Sequence, residues 1–278
     1  MAENVAAMIR RAAAQFEGVS DTARLDAELL MAEALNVSRP ELLLRHMADM
    51  GGAVPPKFAE MAARRMRHEP IAYILGHQDF YGRNFIVTSE VLIPRSDSES
   101  VVQAALDVAP AEGRVLDCGI GSGALLLTLL AERPGLDGIG IDNSIGALAV
   151  AAANAVRLGV QERMQAIRRD WHEEGWQEGL GQFDLIIANP PYVEDGAQLA
   201  SSVSEFEPAG ALFAGEDGLD DYRILIPQLR QMLTIGGAAV LEIGATQAVA
   251  VGELAHSAGF DVTLHRDLAD RPRGLLLQ

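Results

Sequence analysis

An apolar run at residues 185–188 ends at four residues of very different character, Asn189, Pro190, Pro191 and Tyr192. The prolines cannot donate backbone hydrogen bonds, so a strand that reaches them must end. A planar amino group is a weak nucleophile, and a site that methylates one must hold its two hydrogens with acceptors. The Asn189 side-chain oxygen and the Pro190 carbonyl can be those acceptors, and Tyr192 can pack flat on the planar group. A proline-rich turn without a ligand is the alternative interpretation.

A second candidate site lies in the stretch VLDCGIGSGA, where an apolar strand pattern runs into a glycine-rich loop. The loop consists of Gly119, Ile120, Gly121, Ser122 and Gly123. Its glycines let a ligand approach the backbone and let the chain turn sharply into a helix. The loop also matches a dinucleotide fingerprint, and a tight turn without a ligand is the alternative interpretation.

Asp142 follows Gly123 by 19 residues and ends the next strand pattern. A carboxylate at this place can accept hydrogen bonds from both ribose hydroxyls of a nucleoside. As an isolated residue it can equally be the N-cap of a helix that begins near Ser144. The glycine loop and the acid together predict a nucleoside cofactor, but they do not choose between NAD and S-adenosylmethionine.

Strand and helix patterns alternate from about residue 96 onward, and these elements must position the candidate residues. The strand patterns cover residues 114–119, 136–143, 164–170, 183–189, 237–244, 260–267 and 273–278. This alternation predicts a Rossmann-like α/β fold, in which helices cover both faces of a mostly parallel sheet. Ligands in such folds bind at the carboxyl ends of the strands. The glycine loop, Asp142 and Asn189 each follow a strand, so we expect them at one edge of the sheet.

The chain before this region has a different pattern. Residues 2–68 show helical signals only, including a capping box formed by Ser38 and Glu41. Residues 77–95 alternate in polarity and contain a glycine at a turn, which predicts a β-hairpin. We therefore predict a small helical domain over residues 1–76, a β-hairpin linker over 77–95 and an α/β domain over 96–278.

Composition narrows the classes of function. The formal net charge of −17 disfavours stable binding to nucleic acid, although residues 62–68 (AARRMRH) are a candidate basic patch. The apolar runs are too short to cross a membrane, and the first residues do not match a secretory signal. The single cysteine, Cys118, allows no internal disulfide and favours a reducing cytoplasm. The six histidines show no ligand spacing, so we expect no metal site.

Four segments together carry a specific resemblance: EPIAYILGHQDFYGRNFIVTSEVLIPR, VLDCGIGSGA, FDLIIANPPYV and EPAGALFAGEDGLDDYR. In this order they closely resemble the HemK-type peptide chain release factor glutamine N5-methyltransferases. The resemblance implies a class I methyltransferase fold that uses S-adenosyl-L-methionine and releases S-adenosyl-L-homocysteine. The implied substrate is the glutamine of the Gly-Gly-Gln motif in release factors, methylated at its side-chain amide nitrogen. The implied partners are release factors, and we expect a monomer.

The resemblance also implies roles for individual residues. Residues 119–123 would line the methionine part of the cofactor, Asp142 would hold the ribose, and Asp170 and Trp171 would flank the adenine. Residues 189–192 would grip the substrate glutamine. Simpler alternatives are a core position for Trp171 and a helix cap for Asp170.

A further implied position lies in the IPR segment, which would bring Arg95 and Glu99 beside the pocket. The spacing of Ser96 and Glu99 also fits a capping box for a helix that begins near residue 97. The chain departs from the family pattern at three positions, where proline, threonine and glycine are usual: Ser96, Ile120 and Ala214.

Two other classes of function fit part of the pattern. An adenine-N6 methyltransferase acting on DNA or RNA would also use an Asn-Pro-Pro-Tyr group, but the acidic charge and the helical N-terminal region weigh against it. A non-catalytic binding protein that has kept the fold is the third hypothesis, and the complete set of motifs weighs against it.

Overall fold

The computed structural model describes residues 4–46 and 55–278, which pack into two compact units. The first unit contains the described residues up to His77 together with Leu199–Phe206, and the second contains Gln78–Gln198 and Glu207–Gln278. Parts of the predicted N-terminal helical domain, residues 1–3 and 47–54, lie outside the described residues.

The first unit is helical, as its sequence predicts. Its helices are α1 (Val5–Phe16), α2 (Ala23–Leu35), α3 (Arg39–Glu41), a π-helical turn (Leu42–His46), α4 (Pro56–Arg65) and α5 (Ile71–Leu75). The Ser38 hydroxyl accepts a hydrogen bond from the Glu41 backbone at 3.3 Å, which is one half of the predicted capping box. Ile9, Phe16 and Leu30 are fully buried in the core of this unit.

Two of the three arginines in the candidate basic patch at residues 62–68 are paired with carboxylates. Arg65 is buried, and its Nε donates to Asp26 Oδ2 at 2.8 Å. Arg64 donates to both carboxylate oxygens of Glu69. A sequence pattern cannot show this pairing, because Asp26 lies 39 residues away along the chain.

A two-stranded hairpin begins the second part of the fold, with β1 (His77–Phe80) paired to β2 (Arg83–Ile86). The two residues of its turn, Tyr81 and Gly82, have φ angles of 49° and 68°. Positive φ at both central positions is what a tight type I′ hairpin turn requires. The hairpin is shorter than predicted, because residues 87–95, all of which the structure describes, add no strand.

The second unit is built on a seven-stranded sheet. Its strands are β3 (Glu112–Cys118), β4 (Gly135–Asp142), β5 (Met164–Arg168), β6 (Phe183–Ala188), β7 (Leu233–Glu242), β8 (Val262–Arg266) and β9 (Pro272–Leu277). The strand order is β5-β4-β3-β6-β7-β9-β8. The first five strands are mutually parallel, and β9 is antiparallel to both of its neighbours. The predicted mostly parallel sheet is therefore confirmed.

Helices cover both faces of this sheet. They are α6 (Glu99–Val108), α7 (Ala124–Glu132), α8 (Ile145–Leu158), α10 (Asp220–Met232) and α11 (Ala248–Ser257). The second unit also has short 3₁₀ turns at Ser96–Ser98, Gln161–Arg163 and Ala209–Ala211, and the short helix α9 (Ser201–Ser204) belongs to the first unit. Successive strand residues face opposite sides: Val115 packs with α6, α7 and α8, whereas Leu116 packs with α10 and α11. None of the helices within residues 4–46 and 55–278 is long and apolar enough to span a bilayer.

Candidate active site

A cavity of about 580 Å³ opens at the carboxyl ends of the central parallel strands. Nine of the residues predicted to bind the cofactor or the substrate line it: Gly119, Ile120, Gly121, Ser122, Asp142, Asp170, Trp171, Asn189 and Pro191. Three others, Gly123, Pro190 and Tyr192, are neighbours of these in the chain but do not line the cavity. The structure therefore gathers the two motifs of the sequence around one space, as expected for the edge of a parallel sheet.

The glycine loop connects β3 to α7 through backbone conformations that favour glycine. Gly119, Gly121 and Gly123 have φ angles of 83°, 52° and 83°, and L-residues with a side chain rarely adopt such values. A Cβ at Gly123, the N-cap of α7, would lie 2.6 Å from a methyl group of Leu127. The loop is closed by hydrogen bonds from the Gly119 and Ile120 amides to the Ile141 carbonyl. These contacts explain why glycine stands at these positions.

Ile120, a departure from the family pattern, packs inward from this loop. Its side chain is 4% exposed. It occupies the space above Gly140, where a Cβ would lie 2.1 Å from the Ile120 Cδ1 atom. The isoleucine at position 120 in the loop thus fits because Gly140 on β4 has no side chain. This pairing was not predicted from the sequence, although the alternating glycines of GIGID in β4 are its signal.

Asp142 ends β4 and holds the glycine loop against the start of α8. Its Oδ2 accepts from the Gly121 amide at 3.0 Å and its Oδ1 accepts from the Ser144 amide at 2.9 Å. Ser144, rather than Asp142, is the N-cap of α8, since its hydroxyl accepts from the Ala147 amide. Burial raises the pKa of Asp142, against the hydrogen bonds that it accepts. Each oxygen keeps a second lone pair, so this carboxylate fits a pair of ribose hydroxyls.

Asp117, the last but one residue of β3, also lines the cavity and was not predicted as a site residue. Its side chain is 1% exposed, and among the described residues its Oδ1 has no hydrogen-bond partner. Burial raises its pKa to about 8, and the nearby Asp142 charge adds to the rise. A buried polar atom without a partner is costly. This atom beside the glycine loop suits a ligand that carries its own hydrogen-bond donors.

Trp171 and Asp170 follow β5 and meet the first turn of α10. The Trp171 Nε1 donates to Asp221 Oδ1 at 2.6 Å. Asp170 Oδ1 accepts from both the backbone and the ring of His172, each at 2.9 Å. Burial alone would raise the pKa of Asp170, but the hydrogen bonds from His172 outweigh it and that pKa is lowered. Asp221 and His172, which also line the cavity, were not identified from the sequence.

Asn189 is half-buried at the cavity wall, directly after β6. Its side-chain amide makes no hydrogen bond with any of the residues that the structure describes, so its oxygen is available to a ligand. The chain beyond it is held firmly, because the Tyr192 and Val193 amides both donate to the Leu212 carbonyl. Gln247 adds a hydrogen bond to the Tyr192 carbonyl at 3.1 Å.

The Tyr192 ring packs among the apolar residues beneath the sheet edge, beside the core formed with α10 and α11. Its hydroxyl lies 3.4 Å from the Arg273 Nη1. Burial raises the pKa of Tyr192 to about 12, with the charge of Glu242 adding to the rise. In this arrangement Tyr192 anchors the Asn-Pro-Pro-Tyr loop.

The IPR segment contributes Arg95 to the cavity wall. Arg95 pairs with Glu207, whose buried carboxylate also accepts from the Ile93 amide at 3.1 Å. Glu99 does not line the cavity. Its Oε1 accepts from the Tyr81 amide at 2.8 Å, so the predicted capping box with Ser96 is wrong, and Glu99 fastens the hairpin turn instead. The local spacing fitted a cap, but a backbone donor 18 residues away uses the carboxylate.

Comparison with known proteins decides the family. The family model described as the PrmC N-terminal domain matches residues 7–76, and the one described as the methyltransferase small domain matches residues 97–213. A release factor glutamine methyltransferase of Cereibacter sphaeroides is 41% identical over 96% of this chain and 94% of that protein. One of Bradyrhizobium diazoefficiens is 38% identical over 92% of this chain and 88% of that protein.

The chain belongs to the release factor glutamine methyltransferase family. Members of this family are S-adenosylmethionine-dependent methyltransferases, and so is this chain. The fold agrees: a methyltransferase of known structure from Pyrococcus furiosus aligns with a TM-score of 0.52 over 79% of this chain and 98% of that chain, at 15% identity. The resemblance inferred from the four sequence segments is therefore confirmed.

Proposed function

We propose that this chain transfers a methyl group from S-adenosyl-L-methionine to the side-chain amide nitrogen of the glutamine in the Gly-Gly-Gln motif of peptide chain release factors. S-adenosyl-L-homocysteine and one proton of the amide nitrogen would be released. The observation that carries the proposal is the shared cavity wall of Asn189 and the glycine loop. The names of the relatives favour this substrate over an adenine base of DNA or RNA. The chain would act in the cytoplasm as a monomer, without stable binding to nucleic acid or membranes.

The cofactor would lie across the carboxyl ends of β3, β4 and β5. The backbone of residues 119–123 would cradle its methionine part, Asp142 would accept the ribose hydroxyls, and Asp170 and Trp171 would border the adenine. The unpartnered oxygen of Asp117 supports this orientation, because the amino group of the methionine part is a hydrogen-bond donor. When bound, the cofactor supplies an electrophilic sulfonium methyl group.

Asn189 and Pro190 would orient the substrate glutamine. The Asn189 oxygen would accept one hydrogen of the planar –NH₂ group. The carbonyl of Pro190, which lies in the chain between the cavity-lining residues Asn189 and Pro191, would accept the other, so that the nitrogen faces the methyl group. Holding both hydrogens stops the carboxamide group from turning about its bond to the rest of the glutamine side chain, as it can in solvent. The buried Pro190 and Pro191, together with the anchored Tyr192, would keep the two acceptors in place.

A methyl-transfer assay tests the proposal. The chain is incubated with S-adenosylmethionine labelled in its methyl group and either a release factor or nucleic acid. We expect label on the release factor only, and none when the glutamine of its Gly-Gly-Gln motif is replaced by alanine. Label on DNA or RNA would support the adenine alternative, and label on neither would leave the binding-protein hypothesis.

Asp142→Ala should weaken binding of S-adenosylhomocysteine by about 1–3 kcal/mol, the scale of losing hydrogen bonds to a charged acceptor. The measurement is titration calorimetry. Asp137→Ala is the matched control, since it removes an exposed carboxylate from the opposite end of the same strand. Equal affinities for the two variants would refute the ribose assignment.

We further propose that residues 1–76 recognise the protein substrate, that 77–95 connect the domains, and that 96–278 perform the chemistry. A chain shortened to begin at His77 should still bind S-adenosylhomocysteine. Its kcat/KM on intact release factor should fall by roughly tenfold or more, because about 1.4 kcal/mol of binding corresponds to tenfold. Its rate on a short Gly-Gly-Gln peptide should change little. An unchanged kcat/KM on the intact protein would show that recognition lies elsewhere.

A further inference from the structure

The Trp171 indole is held at two opposite edges. At one edge its Nε1 donates to Asp221 Oδ1 at 2.6 Å. At the other edge its ring lies so close to the glycine loop that a Cβ on Gly119 would be 3.2 Å from the Trp171 Cη2 atom. The ring thus spans from the loop after β3 to the first turn of α10, and all three residues line the cavity.

His172 adds a second connection to the same carboxylate. Its Nδ1 lies 2.9 Å from Asp170 Oδ1, and its Nε2 lies 3.5 Å from Asp221 Oδ1. One imidazole therefore reaches carboxylates on two different elements, the loop after β5 and α10. His172 is half exposed, whereas Asp221 is 4% exposed.

The buried carboxylate of Asp221 lowers the stability of the fold unless other residues compensate for its burial. Burial raises its pKa, and the hydrogen bond from Trp171 only partly opposes this. A buried carboxylate of this kind destabilises a protein unless its partners compensate. Its compensating partners are Trp171 and His172, both in the cavity wall. Because the two residues that offset this destabilisation lie in the cavity wall, these contacts indicate that Asp221 has a role at the cavity.

We propose that Asp221 and His172 are positioning residues that hold the Trp171 indole as a fixed wall for the purine of the cofactor. This inference rests on the proposed function, which puts the adenine beside Trp171. A ring that is already fixed loses little conformational freedom when the ligand binds, so affinity is gained without a new contact. Neither residue needs to touch the cofactor.

Two variants of Asp221 separate positioning from simple packing. Asp221→Asn keeps an oxygen that can accept from the Trp171 Nε1, and Asp221→Leu removes it. The dissociation constant for S-adenosylhomocysteine, measured by calorimetry, should rise about tenfold in Asp221→Leu, as for one lost hydrogen bond to a charged group. It should rise only about two- to threefold in Asp221→Asn, since the neutral acceptor forms a weaker bond.

Tryptophan emission gives a readout that requires no cofactor. Trp176 is buried and bonded to Gln228, so a Trp176→Phe background isolates the emission of Trp171. We expect Asp221→Leu to change the emission maximum and lower the anisotropy of the free protein, and Asp221→Asn to restore both in large part. Equal losses of affinity in the two variants without a change in emission would overturn the proposal.

His172→Gln tests the second connection to Asp221 at a half-exposed position. The dissociation constant for S-adenosylhomocysteine should rise about two- to threefold, and in the Trp176→Phe background the anisotropy of Trp171 emission should fall. His256→Gln, which alters a histidine on α11 bonded to the Phe260 carbonyl, is the matched control. Affinity and anisotropy equal to those of the control would contradict the proposal. Failure to methylate release factor with normal binding of S-adenosylhomocysteine would count against the proposed function alone.

Discussion

Asn189→Ala should lower the turnover rate on release factor by about 10²–10³, as for the loss of one preorganised hydrogen-bonding group in an active site. The substrate amide would keep one acceptor and become free to rotate away from the methyl group. Affinity for S-adenosylhomocysteine should change little, because the loop backbone, Asp142 and the Trp171 wall remain. The effect should appear in kcat, since the lost contact orients the nitrogen toward the methyl group in the transition state.

Asn189→Asp is the sharper form of this test, because it keeps an acceptor oxygen at the same place. Partial activity should survive in the aspartate variant and be lost in the alanine variant. Gln165→Ala, which removes an exposed amide from β5, controls for loss of an amide in general. Wild-type turnover in both Asn189 variants would mean that the Asn-Pro-Pro-Tyr group is only a turn.

Glu242→Gln should stabilise the folded protein at pH 8 by about 3 kcal/mol. Glu242 lies at the end of β7 with no exposed surface, and the Ser98 side chain and the Arg273 charge offset the cost of burying its carboxylate only in part. Burial raises its pKa from 4.5 to about 7. The folded state therefore binds its proton more tightly than the unfolded state, and a shift of this size corresponds to about 3 kcal/mol.

The sign follows from the direction of that shift. Well below pH 4.5 the carboxyl is protonated in both states, so its ionisation does not affect the free energy of unfolding. As pH rises from about 4.5 to about 7 the unfolded state releases its proton first, so the free energy of unfolding falls. Glutamine carries no such charge, so the two proteins should be similar at pH 4 and diverge by pH 8. Denaturant unfolding across this range measures the difference, with the exposed Glu253→Gln on α11 as control. Parallel curves would contradict the prediction.

Local sequence patterns predicted most of the sheet and the centre of the site. The apolar residues of strands β3, β4 and β6 are followed by Gly119, Asp142 and Asn189, so the carboxyl ends of these strands could be predicted from the sequence. The start of β7 was placed at residue 237, four residues after its actual start at Leu233. Gly236, whose φ is 81°, interrupts the strand pattern, so the part of the strand before it was not predicted.

The features that escaped prediction join residues that are far apart in the chain. Trp171 and Asp221 are 50 residues apart, and Arg95 and Glu207 are 112 residues apart. Each carboxylate, taken locally, is an ordinary acid at the start of a helix or in a loop. Their roles depend on which elements the fold brings together. The local patterns of a single sequence do not show which distant elements will be in contact. The same limit applies to Tyr192, because its distant neighbour Arg273 was not visible from the motif.

The position of β9 has a consequence for the order in which the strands of the sheet assemble. β9 lies between β7 and β8, although both precede it in the chain. Within the sheet, whose strands all lie in the described residues 112–277, β8 pairs only with β9. On the ribosome, strands β3 to β7 can assemble as they emerge, but β8 has no partner until the six residues of β9 have been synthesised. The two strands then join β7 as a hairpin, whose turn is held by the Asp267 carboxylate. Completion of the sheet is thus a late step of folding that depends on one short segment.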